Sequence, residues 1–434
     1  MMDKIRRPVM LAGLSLLTLA ACDEAQNPLD VETSSRIPAV NVESPANAQL
    51  LLDGAVADFE CAFAAYVVQS ATVGEEFVYA QQTADRVPAD RRGVIPTDTR
   101  YVGTASTNAG GGNCALLGIY GPLQVARGSA ENILGYLKGW TDAEVPTNRT
   151  RLIAFAAAYA GYSYVLLGEG FCTLAFSRIN PDRTIDYGGE IQRDSVFKTA
   201  VNRFTEAIAA AQATNTTDIL RMAFLGRARA KLNLGDYAGA KADAQQIPAG
   251  YVRNATYSGT VPRRNNFVFN DNAITNRNSS VGEPYRSMVD TRVPIVATTV
   301  TSATTVRHFY QTKYASVDAP IPLATYEEAQ LIIAEADIRA GSLATALPIL
   351  NAERTRGGQG AFTGTTQAQY LAELVDQRRR ELFLESHHLG DIIRYTIPLS
   401  PAAGTPHHFG GAYGNQICFP LPAAERLNNP LIGS

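Results

Sequence analysis

Apolar residues recur at intervals of three and four along most of the chain, the spacing that places them on one face of a helix. Leu51, Ala55, Phe59 and Ala62 form such a stripe within 46–72, which is rich in Ala and Leu and nearly free of breakers, so a long helix is predicted there. Residues 115–138 and 151–167 have the same pattern, the second with Phe155, Ala158, Tyr162 and Val165 on one face. Gly168 and Gly170 are expected to end that helix. Val196, Ala200, Phe204 and Ile208 make a further stripe, followed by helices over 219–234 and 238–246. Near the C-terminal third, Tyr326–Arg339 and Leu343–Arg356 are predicted as a pair. Pro348 should kink the second or delay its start.

The periodicity fails over 251–321, where Asn, Thr, Ser and Arg dominate and Phe267, Phe269, Tyr285, Phe309, Tyr310 and Tyr314 are scattered. A long irregular excursion with short strands is expected. A loop region of this length in a compact domain is a candidate binding surface, the alternative being that its aromatic rings pack it onto the helices. Trp140, the single tryptophan, sits at a helix end and is expected to pack.

The first segment has a different pattern: basic Lys4, Arg6 and Arg7, an uncharged run over 9–18, then Leu19-Ala20-Ala21-Cys22. That is the layout of a secretory signal, with a run well short of the roughly 20 residues of a membrane-spanning helix. Leu19-Ala20-Ala21-Cys22 resembles a bacterial lipobox, which implies lipid on Cys22 and removal of residues 1–21. A single acyl chain holds a protein on a bilayer only marginally, and the resemblance implies three. Residues 22–45 then read as the lipidated cysteine and a flexible tether. Its Asp23-Glu24 start resembles a surface-export signal of some bacterial phyla, and an ordinary solvated linker reads the same way.

With 434 residues, a net charge of -3 and no basic run, the chain is not built for nucleic acid. Besides Cys22 it has Cys61, Cys114, Cys172 and Cys418, an even set in an exported chain. The favoured pairing is Cys61 with Cys114 and Cys172 with Cys418; four buried free thiols is the alternative. Their spacing matches no zinc motif. The doublets His387-His388 and His407-His408 point in different directions if helical or extended, so neither is expected to make a metal site by itself. No zinc-protease, nucleophile-elbow, P-loop or dinucleotide motif is present, and Gly110-Gly111-Gly112 reads as a turn. A non-enzymatic protein without cofactor or metal is expected.

Leu-Asn-Leu-Gly-Asp-Tyr-Ala-Gly-Ala at 232–240 resembles the junction of tetratricopeptide repeats, and Ala340-Gly341-Ser342 is a second junction of this kind. Further stretches stand out in order: Ile119-Tyr120 with Ala130-Glu131-Asn132, the helix ending at Gly168, and Glu328-Ala329 through Ile333-Ala334-Glu335-Ala336. Then come Asn351, Arg354 and Arg356-Gly357-Gly358, Arg378-Arg379-Arg380-Glu381-Leu382-Phe383-Leu384-Glu385, Asp391-Ile392-Ile393-Arg394, and Phe419-Pro420-Leu421-Pro422 with Glu425 and Asn429-Pro430. As an ordered set these resemble the SusD/RagB-like outer-membrane lipoproteins. Gln377, Ser386 and His388 stand where that family usually has Glu, Gly and Arg. Arg378, Glu381 and Glu385 are spaced to share a helical face, with Arg394 meeting Asp391 locally, as structural ion pairs.

The resemblance implies a mostly α, tetratricopeptide-like scaffold of helical pairs over 46–250 and 322–395, the excursion over 251–321, and a C-terminal docking segment over 396–434. Together these form one domain over 46–434. It also implies a lipid-anchored protein of the outer membrane, exposed at the surface, that captures a nutrient, often an oligosaccharide, as the lid of a SusC-like TonB-dependent transporter. A tetratricopeptide-type lipoprotein scaffolding envelope complexes is the second reading and a secreted hydrolase the third. The ligand contacts of that family lie in variable loops, so none is assigned here.

Overall fold

Helices form where the apolar stripes lie. The computed structural model describes residues 43–81, 86–103, 118–145, 148–180, 184–301 and 306–433. Cys22, Cys114 and Gly110-Gly111-Gly112 lie outside the described residues. The principal helices are α1 (Ala48–Val73), α2 (Tyr120–Gly139), α3 (Arg149–Gly170), α4 (Arg193–Ala213) and α5 (Thr217–Asn233). After them come α6 (Tyr237–Ala244), α7 (Tyr326–Arg339), α8 (Leu343–Arg356), α9 (Gln367–Glu381) and α10 (His388–Tyr395). Each of α1 to α6 packs on the next, and α6 packs on α7, which carries α8 and α9. This is the sequential stacking of a helical-pair array, in which each unit contacts mainly its neighbours.

The turns between helices explain that order. Gly235 (φ 75°) and Gly341 (φ 77°) adopt left-handed backbone. One residue later the Asp236 N–H donates to Lys231 O and the Ser342 N–H to Asp337 O. Both are the same helix-ending motif, in which a left-handed residue lets the next amide satisfy an orphaned carbonyl five residues back. Asn215 (φ 52°) does this between α4 and α5, through Thr216 N–H to Ala211 O. Such short reversals bring paired helices together.

Small residues set how closely they approach. Phe204 of α4 is fully buried between Gly161 of α3 and Gly226 of α5, and a Cβ built on Gly161 would lie 2.7 Å from its ring. Its ring meets Tyr162 edge-on at 5.1 Å, and Tyr162 meets Phe59 of α1 at 6.4 Å. α3 is apolar and long enough to cross a membrane, but it is sheathed by α1, α2, α4 and α5 as the central core helix. A second apolar cluster joins α7, α8 and α9 through Leu331, Ile338, Leu350, Tyr370 and Leu374.

Two expectations about breakers are sharpened. α3 ends at Gly170, with Gly168 inside its last turn, and the rings of Phe197 and Tyr66 occupy the space a Cβ would take at these two glycines. Pro348 does not delay α8, which begins at Leu343 and holds the proline inside it.

The excursion contributes short antiparallel pairs. Phe77–Tyr79 pairs with Ser279–Val281, Ile295–Thr301 with Arg307–Gln311, and Val252–Ala255 with Ile321–Thr325. Phe267, Tyr285 and Tyr314 are buried, so these rings pack the excursion onto the helices instead of facing a ligand. Trp140 caps α2 and stacks on Tyr136 at 5.6 Å.

The chain end returns to α3. Cys172 and Cys418 form a disulfide with Cα atoms 5.2 Å apart, flanked by Phe419 N–H to Gly170 O (2.8 Å) and Cys172 N–H to Phe419 O (2.9 Å). Cys61 is disulfide-bonded as well.

Candidate functional site

Three stretches distant in sequence meet beside the end of α1 and enclose a cavity of about 270 Å³, close to the lower end of the roughly 300–1,000 Å³ typical of small-ligand pockets. The first runs from Thr72 through the strand Phe77–Tyr79 to Arg92, the second contributes Glu283, Arg286 and Arg307 from the excursion, and the third contributes Ser400, His408 and Tyr413.

Arg92 joins the first stretch to the third. It donates to Glu75 Oε1 (2.9 Å), to Gly414 O (3.1 Å) and to Pro401 O, and lies over the Tyr413 ring at 4.9 Å. The same Glu75 oxygen accepts the Ser400 N–H. Glu75 (φ 72°) and Arg92 (φ 55°) both hold left-handed backbone, which side chains with a Cβ rarely adopt. Strain of this kind persists where surrounding contacts enforce it, often at functional sites. Burial pushes the Glu75 carboxyl up to about 7 even with Arg92 beside it. Beneath it Glu76 accepts the Leu384 N–H at 2.7 Å and is raised to about 8 by burial, so it is largely protonated at neutral pH.

On the same wall, Asp90 receives both histidines of one doublet: His407 Nε2 lies 2.8 Å and His408 Nε2 3.6 Å from Asp90 Oδ2, with the rings 4.0 Å apart. The expectation that these two rings diverge is therefore overturned; the loop after Pro406 bends so that both face the same carboxylate. Phe409 N–H donates to His407 Nδ1 (3.0 Å), which puts the ring proton on Nε2, toward Asp90. That nitrogen has no lone pair to offer a metal ion between it and the carboxylate, and His408 Nε2 is within 3.0 Å of the Tyr79 carbonyl. The trio fits a hydrogen-bonded clamp better than a metal centre. The other doublet diverges, with His387 against Arg229 (3.1 Å) and His388 edge-on to Tyr285.

A larger groove of about 600 Å³ lies between α1 and the Val252–Ala255 strand, but its arginines are already paired, Arg253 with Asp218 (2.6 Å) and Arg264 with Glu60 (2.8 Å). The smaller cavity is the better candidate because it has charged groups to spare.

The ion pairs expected around α9 are rearranged. The helix stops at Glu381, followed by left-handed Leu384 and Ser386, so Glu385 leaves the helical face that Arg378 and Glu381 share, and the expected pairs do not form. Arg378 instead binds Asp391 (2.8 Å), Glu381 binds Arg356 (2.7 Å) and Glu385 binds Lys313 (2.6 Å). Arg394 does meet Asp391 (3.3 Å), and also Glu335 (3.0 Å). Gln377 accepts from Arg292 at 2.8 Å, and Ser386, at φ 73°, occupies a backbone position suited to glycine.

Of the residues lining the cavity, only His408 was singled out by sequence. Glu75, Asp90, Arg92, Arg286, Arg307 and Tyr413 carry no local pattern.

Comparison with known proteins places the whole fold. Residues 197–420 match the SusD family. Among solved structures, a SusD superfamily protein from Bacteroides vulgatus superposes with TM-score 0.66 at 12% identity, covering 89% of this chain and 97% of its own. A SusD-like carbohydrate binding protein from the same organism gives 0.65 at 14% identity, covering 90% and 97%. A SusD superfamily protein from Bacteroides thetaiotaomicron gives 0.62 at 14%, covering 89% and 97%. No curated protein matches the sequence. With the helical-pair scaffold and the family match extending over more than half of it, the chain belongs to the SusD family.

Proposed function

We propose that this protein captures a saccharide in the cavity between Glu75, Arg286 and His408 and, held on the outer membrane by lipid at Cys22, hands it to a SusC-like TonB-dependent transporter. The observation that carries this reading is the cavity itself, assembled from three stretches distant in sequence beside the end of α1 and braced by Arg92. Membership of the SusD family and the fold shared with a SusD-like carbohydrate binding protein support it.

The protein does no chemistry on the ligand. Glycoside hydrolysis uses two carboxyl groups free to act as acid and base or nucleophile across the sugar. Here Glu75 is tied to Arg92 and Asp90 to His407. Capture needs only shape, polar groups and access.

Purification from membranes tests the partnership: a large outer-membrane barrel should co-purify with the protein, and recovery of periplasmic partners alone would favour an envelope scaffold instead. Cys22→Ser should release the protein from membranes; a variant still bound there would refute the lipid anchor.

A further inference from the structure

We propose that the ligand taken by this cavity carries an anionic substituent, a carboxylate or a sulfate ester, which Arg286 and Arg307 hold together. This rests on the reading that the cavity is the capture site.

Glu75 is matched by Arg92, and Asp90 accepts a hydrogen bond from His407. Two cations remain on the wall. Arg286 donates Nε–H to Val281 O at 2.7 Å, which leaves both terminal nitrogens uncommitted, and its guanidinium lies 4.6 Å from the Phe309 ring centre. Arg307 lies 5.1 Å from the centre of the same ring. Neither makes an ion pair among the described residues; Glu283, the one other carboxylate lining the cavity, is exposed and pairs with neither.

Two guanidinium groups sharing one aromatic ring repel each other. Burial makes Arg286 easier to deprotonate than usual; Glu283 and Tyr413 offset part of that, and the like charge of Arg307 adds a smaller push in the same direction as burial. Taking an arginine partly out of water without a counter-ion is unfavourable, and an anion between the two would relieve both the repulsion and the missing partner. Both groups lie against Phe309 and both line the cavity, and the forked donors of a guanidinium suit a carboxylate or sulfate. A neutral sugar offers only hydroxyl groups to these donors.

Titration calorimetry on the detergent-solubilised full chain tests the assignment, with uronic-acid oligomers as the carboxylate arm, sulfated oligosaccharides as the sulfate arm and neutral oligomers of the same length as reference. One acidic arm should bind at least about tenfold more tightly than its neutral counterpart, and the margin should shrink as salt is added. Arg307→Met, at an exposed position, should erase that margin, as should Arg286→Met, with the thermal transition of Arg307→Met unchanged. Neutral oligomers binding as tightly as acidic ones, or an acidic margin that survives Arg307→Met, would overturn the inference while leaving capture standing. Failure of every saccharide to bind would remove both.

Discussion

The helical array from α3 to α6 and the cavity wall are held together by different forces. In the array, cohesion is apolar and local: Phe204 fills the space that Gly161 and Gly226 leave open, and the turns at Asn215 and Gly235 repeat one hydrogen-bonding motif. In the cavity wall, cohesion is polar and remote. Arg92 reaches Pro401 and Gly414, Arg91 reaches Phe409 O (2.6 Å), and Gln416 exchanges hydrogen bonds with both backbone groups of Val94. A scaffold built by periodic burial tolerates exchange of its loops, and loops clamped by arginine can change their chemistry without disturbing the scaffold.

Phe204→Ala should break the array most severely. It leaves a cavity among three helices and should lower global stability by about 4 kcal/mol, read by denaturant unfolding. Arg92→Met should act on the wall alone. It strands the buried Glu75 carboxyl and two carbonyls, a local cost of about 2 kcal/mol, and hydrogen exchange should quicken over 400–414 while amides of α4 and α5 keep their protection. If both variants lowered protection everywhere alike, the division between array and wall would be wrong.

Glu76 sits where the two regions meet, and its titration gives a smaller effect. Its carboxyl holds a proton more tightly in the folded protein, with the value raised from 4.5 to about 8. Its contribution is therefore fully present below about pH 4.5 and is lost as pH rises toward 8, because the unfolded chain sheds that proton first. Glu76→Gln should flatten the decline over that window in stability measured against pH. The smallest change belongs to Ser386→Gly: relief of left-handed backbone should stabilise by about 0.5–1 kcal/mol, less whatever the serine hydroxyl contributes through its 3.3 Å contact with Arg229. A rise in melting temperature checks it.

The same contrast explains what could be read from the sequence. Stripes such as Val196, Ala200, Phe204 and Ile208 repeat within one helix, so α4 and the pairs α5–α6 and α7–α8 were legible from spacing alone. Helix ends were less so, because whether Gly168 and Gly170 stop a helix depends on whether Phe197 and Tyr66 need their space. The cavity was hardly legible. Glu75 and Ser400 meet across 325 positions, and no local pattern encodes that meeting. The histidine doublet at 407–408 was visible, but its convergence on Asp90 depends on a loop bend that spacing does not carry. The aromatic residues of the excursion drew attention as a surface, whereas most of the useful chemistry there lies in the arginines between them.

The central claim, that ligand enters this cavity, is tested most directly by hydrogen exchange of the detergent-solubilised full chain with and without a saccharide that binds it. Capture in the cavity predicts slowed exchange confined to 72–92, 283–307 and 400–413. Protection along α4, α5 and α8 with those loops unchanged would contradict the account and place recognition on the helical face.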